Sequence, residues 1–241
     1  MIQFRCITGK WPRLAVAGLL LAGALLFHSP LLRGLVAPLI VDQPTDQFDA
    51  ICIMAWGQTP DGDRCYDTVK RLHAQKPDSR ILIVAPSPSR VEETGVMPSF
   101  ESLSRRELGA RGVSGESLTI LHGKSYNDSA TARAIAAWLG EHPSATVTLL
   151  CDQFRSAYVR RALDAVLDPP AATRVHVRAL PGRRCDQTNW WKSRGGFLAF
   201  GTNWLIYLHG LWYGGKTAEP AMKNADGYER DFLENLRERT P

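Results

Sequence analysis

The sequence predicts an α/β domain in which a mainly parallel sheet of about five strands lies between layers of helices, preceded by one membrane-spanning helix. Three observations predict it. Short apolar runs rich in β-branched residues recur at "AICIMA" (50–55), "RILIVAP" (80–86), "SLTILHG" (117–123), "TVTLLCD" (146–152) and "RVHVRAL" (174–180). Helix-sized amphipathic segments separate the first four, the pattern of a parallel sheet with helices on both faces. Ahead of them, Leu14 to Leu32 is apolar apart from His28 and Ser29, about the length that crosses a hydrocarbon core.

The elements follow in order. Residues 1–13 carry Arg5, Lys10 and Arg13 and no acid, so the positive-inside rule keeps them cytoplasmic and places everything after the 14–32 anchor outside. A cleaved signal peptide is the competing reading, but the apolar run is long for one and no convincing A-x-A site follows. Residues 33–48 read as a Pro-containing connector and 49–215 as the α/β domain. Its helices are "RCYDTVKRLHAQ", "SFESLSRRELGARG", "NDSATARAIAAWLG" and the stretch after Asp152, where Tyr158, Ala162 and Val166 form one stripe and Asp152 is placed to cap. The Trp-rich segment "NWWKSRGGFLAFGTNWLIYLHGLWYGG" reads either as a helix covering the core or as a membrane-interface surface, and 216–241 as a charged tail.

Composition excludes several classes. The net charge is +5, yet the basic residues are spread without a Lys/Arg-rich run, which argues against nucleic acid. No GxGxxG follows the first strand, and GxxxxGK[ST], GxSxG and HExxH are absent, so neither a cofactor nor a classical hydrolase site is implied. No Cys/His spacing points to a metal. Of the exported cysteines, Cys52 and Cys151 lie in strand-like runs as small hydrophobes, while Cys65 and Cys185 are the better disulfide candidates.

Ligands of open α/β sheets sit beyond the carboxyl ends of the strands. There the sequence offers Gly57 and Arg64 after the first strand, Ser87 and Ser89 after the second, His122, Ser125, Asn127 and Asp128 around the third, and Asp152, Gln153, Arg155 and Ser156 after the fourth. Cations, hydroxyls, amides and helix N-termini suit an anion, phosphate above all. His122 and Asp152 are the acid/base candidates, and no reaction is assigned. Simpler roles compete: capping for Asn127 and Asp128, turn formation for Ser87 and Ser89, packing for His122, surface exposure for Arg64. Arg155 stands against the helix dipole, so the sequence requires either a bound anion or a structural acid, such as Asp152, beside it.

The order of these pieces resembles the SanA/ElyC/YdcF-like bacterial envelope proteins, closest to their exosortase-associated branch, over roughly residues 49 to 215. "FDAICIMAWG" is similar to the family's opening strand and Gly-rich loop, "RCYDTVKRL" to its arginine-led first helix, and "FESLSRRELGARGV" to its acidic-led second helix. "SYNDSATARAIAAWL" is similar to the family's Asn-led helix start, "DQFRSAYVRRAL" to the turn that usually reads aromatic-His-Ser-x-Arg, and "NWWKSRGG" to the branch's Trp-Trp-x-Ser element. The resemblance implies a Rossmann-like fold and a single-pass inner-membrane protein with a periplasmic domain. Its implied role is cell-wall or exopolysaccharide biogenesis, by binding an anionic sugar or lipid-linked glycan or by docking on envelope-assembly proteins. The chain departs from the pattern at "WGQTPDGD" and "APSPSR", and Arg155 replaces the family histidine. A guanidinium cannot take over proton transfer near neutral pH.

Overall fold

A computed structural model describes residues 29–54, 62–86, 92, 95–123, 128–182 and 185–212. The expected anchor, 14–32, lies outside the described residues as far as residue 28, and the expected tail, 216–241, lies outside them entirely. Within them the chain forms β1 (Ala50–Met54), α1 (Gly62–Gln75), β2 (Arg80–Pro86), α2 (Phe100–Ala110), β3 (Leu118–Gly123), α3 (Asp128–Glu141), β4 (Val147–Asp152), α4 (Ser156–Val166), the single turn α5 (Pro169–Ala172), β5 (Val175–Leu180) and α6 (Arg194–Trp212). The strands match the apolar runs read from the sequence to within one residue at each described end.

All strand pairs are parallel, in the order β3-β2-β1-β4-β5. This is the Rossmann-like doubly wound arrangement, with its reversal between β1 and β4. Parallel strands covered on both faces need apolar residues at every position, and β1 is buried throughout. Strand alternation sends Ala50, Cys52 and Met54 into one core with Ala132, Ile135, Leu139, Val159 and Leu163 of α3 and α4. Ile51 and Ile53 enter the other core with Tyr66, Val69, Leu72 and Leu108 of α1 and α2.

The connector is part of the folded unit. Residues 29–36 are helical, and Val36 and Leu39 are buried. Gln43 N–H donates to Val177 O (2.8 Å), and Asp42 Oδ1 accepts Ala179 N–H (3.0 Å). The connector thus pairs the outer edge of β5, which would otherwise stand open.

The Trp-rich segment packs against α4 and the connector, with Trp190 and Trp204 turned inward and Trp212 exposed. Trp190 forms a third cluster with Val36, Leu39 and Phe154, joined by Phe200, Trp204 and Tyr207 of α6. Its ring stacks on Phe200 with centroids 3.9 Å apart. Ser193 caps α6 by accepting Gly196 N–H (3.0 Å), which gives the Trp-Trp-x-Ser element a structural task. Cys65 and Cys185, the better disulfide candidates, are not bonded to each other and belong to different clusters. A Cβ on Gly196 would run into the carbonyl of Trp190, a backbone group that cannot turn aside. Gly196→Ala should therefore destabilise the protein by about 1–3 kcal/mol, the range for overpacking. Urea denaturation checks this; an unchanged midpoint would mean that Trp190 is not held as described.

Candidate functional site

The rim is built where β4 ends. Asp152 Oδ1 accepts Phe154 N–H (2.9 Å), which turns the chain into a 3-10 turn, Gln153–Arg155, before α4 begins. Asp152 therefore caps this turn, and Arg155 itself occupies the N-cap position of α4 without a side-chain cap. That placement faces the guanidinium with the positive end of α4.

The acid that meets Arg155 is Asp128, the first residue of α3. Arg155 Nη2 and Nε donate to Asp128 Oδ2 at 2.8 and 3.1 Å, and the Asp128 side chain is only 2 % exposed. Burial pushes the Asp128 carboxyl above its usual range, and the Arg155 charge pulls it part of the way back. Asp128 and Arg155, both named from the sequence as ligand contacts, are thus each other's main partners.

The remaining residues divide clearly. Ser156 is fully buried; its hydroxyl accepts Val41 N–H (2.8 Å) and donates to Gln153 O (2.7 Å), so it joins the connector to the rim instead of facing a ligand. Gln153 is buried, and its Nε2, like Asp128 Oδ1, has no hydrogen-bond partner among the described residues. Buried polar atoms are normally paired, so these two forgo a bond that such atoms usually make. His122 is exposed on β3, three strand positions from β4, a separation of about 14 Å at ordinary strand spacing. It is not brought together with Asp152. Gly57, Ser87, Ser89, Ser125 and Asn127 lie outside the described residues.

Arg64 stands on the opposite face, where its Nη1 donates to Pro181 O (3.2 Å) and Gly182 O (3.3 Å). It lines an open cleft of about 450 Å³ with Arg71 of α1, Arg178 of β5, Asp42 and Asp67. Arg111 engages Asp67 at 2.8 Å, and Asp42 accepts the Ala179 amide, so both acids of the cleft are partly occupied. Sequence reading missed Arg71 and Arg178. Neither follows a strand end directly; one lies two turns into α1 and the other within β5, so only the packing of α1 beside β5 unites them.

Three of the four described thiols are poor nucleophiles. Burial pushes Cys65 up to about 12, and Cys52 and Cys151 also well upward, so all three stay protonated. Among the described residues no group of His, Cys, Asp and Glu side chains could hold a metal ion. No protein-family model, curated protein or solved structure matches this chain.

Removing the arginine from a buried pair strands the acid. Arg155→Ala should cost about 3 kcal/mol at neutral pH in chemical denaturation. Because burial raises the folded-state pKa of Asp128, ionising it costs stability as pH rises through that value, and more so without Arg155. The deficit of the variant should therefore shrink as the pH falls and Asp128 takes up a proton. A deficit that stays constant with pH would place the role of Arg155 elsewhere.

Proposed function

We propose that the protein is a single-pass inner-membrane protein with a cytoplasmic N-terminus and a periplasmic α/β domain. That domain binds an anionic envelope intermediate, a phosphate-bearing sugar or lipid-linked glycan, during cell-wall or exopolysaccharide assembly. The observation that carries the reading is the cleft lined by Arg64, Arg71 and Arg178, whose two acids are partly occupied. Guanidinium groups recognise phosphate through paired N–H donors, and three around one opening favour an anion over a neutral sugar. The cleft also lies close to the proposed anchor. Asp42 on its wall is ten residues beyond Leu32, a stretch that spans at most about 36 Å even when extended. A ligand tethered in the outer leaflet is within reach over such a distance.

A second reading is an interaction factor that docks on a membrane or an envelope partner through the Trp-rich segment. The exposed leucines of α6 favour it, and the two readings are compatible in one molecule.

Thermal melting with a sugar phosphate and with a polyprenyl-phosphate-linked sugar tests the ligand class. At about 100 times its Kd, a ligand of the native state adds about 2.7 kcal/mol of stability. That gain should disappear in the Arg71→Ala/Arg178→Ala double variant and persist in Arg105→Ala, whose arginine pairs with Glu101 away from the cleft. No gain with either compound, or a gain the double variant retains, contradicts the reading. A periplasm-dependent reporter fused after Pro241 should be active, and cytoplasmic activity of the fusion would overturn the topology.

A further inference from the structure

We propose that the outer face of α6 lies on the surface of a phospholipid bilayer, the same bilayer that the apolar segment ahead of residue 29 enters. This rests on the membrane-anchored topology proposed above. Leu198, Leu205, Leu208 and Trp212 fall within one stripe of the helix and are 60, 70, 49 and 87 % exposed. Single exposed leucines are ordinary, but four large apolar residues on one stripe are not.

The inner face of α6 is already committed. Trp204 Nε1 donates to Leu35 O (2.9 Å), and Trp190 Nε1, at the turn before α6, donates to Leu32 O (3.3 Å). The Arg161 guanidinium of α4 lies 4.7 Å from the Tyr207 ring centroid, and Gly210 sits against the Tyr158 ring. Among the described residues, what remains unpartnered is therefore the leucine stripe.

The connection to the chain outside the described residues identifies what covers this stripe. The apolar run 14–32 passes directly into the helical residues 29–36, whose Leu31 and Leu35 side chains are themselves 63 and 51 % exposed. Two indole bonds hold that helix against α6, so the point where the chain would leave the bilayer lies about one helix diameter, 10 Å, from the leucine stripe. A domain tethered so closely must rest some surface on the headgroups, and this one is apolar. The chemistry of α6 suits an interfacial position. It contains no acidic residue, Arg194 opens it on the side of the leucine stripe, and Lys192 precedes it, both favourable near anionic lipid. Among the described residues no helix is long and apolar enough to cross a membrane, which leaves α6 lying on the surface.

The test uses the full-length chain in nanodiscs of phosphatidylethanolamine and phosphatidylglycerol, with a fluorescent label on Leu205→Cys, on Leu198→Cys, or on Arg106→Cys of α2 as a control. Unsubstituted protein carried through the same labelling gives the background from native thiols. Doxyl-labelled lipids should quench the Leu205 and Leu198 probes severalfold more than the Arg106 probe. Equal quenching at all three positions, in protein that has entered the nanodiscs, overturns the lipid contact while leaving the anchor intact. A Leu205 probe shielded only as protein concentration rises would mean that a second copy covers the face, and would also overturn it. Failure of the chain to enter nanodiscs at all contradicts both the anchor and this inference.

Discussion

The carboxylate of Asp128 is the point on which the arrangement of this domain turns. It begins α3, the crossover that returns the chain from the edge strand β3 to β4 and so creates the reversal in strand order. A carboxylate at a helix start is favourable, but one that is almost fully buried is not, unless a cation accompanies it. Arg155 supplies that cation from the start of α4, where its own position against the dipole would otherwise be unfavourable. Each residue thus offsets part of the cost of the other. The pair joins the crossover helix to the helix that follows β4, beside the rim where two buried polar atoms lack partners among the described residues.

Around this contact the chain ahead of β1 acts as a brace. It pairs the edge of β5 through Asp42 and Gln43, receives the Ser156 hydroxyl through the Val41 amide, and supports α6 through the carbonyls of Leu32 and Leu35. The connector thus touches the rim, through Ser156 and Phe154, and the cleft wall, through Asp42.

The fold was legible because its determinants are local. Parallel strands buried on both faces must be apolar throughout, and β1, β2 and β4 announce themselves as short runs between amphipathic segments. The conflict at Arg155 was legible too, since a cation in a first turn requires an acid or an anion. The identity of its partner was not: Asp128 lies 27 residues earlier, and only the crossover brings the two together. Asp128 also has an ordinary reading as a capping residue. The same limit hid Arg71 and Arg178, whose common opening depends on α1 packing beside β5. The inward orientation of Trp190 and Trp204 depends on carbonyls some 160 residues earlier in the chain, which no window of sequence contains.

The measurement that bears most directly on this account is a double-mutant cycle with Asp128→Asn and Arg155→Gln, followed by chemical denaturation at neutral pH. Residues that share a buried charge pair show coupling energies of about 0.5–3 kcal/mol, whereas independent sites add within about 0.5 kcal/mol. The account predicts coupling near the top of that range, with the double variant more stable than the sum of the single losses implies. Additive losses would contradict it, because they would mean that the two residues stabilise the domain separately and that the crossover is not held by their contact.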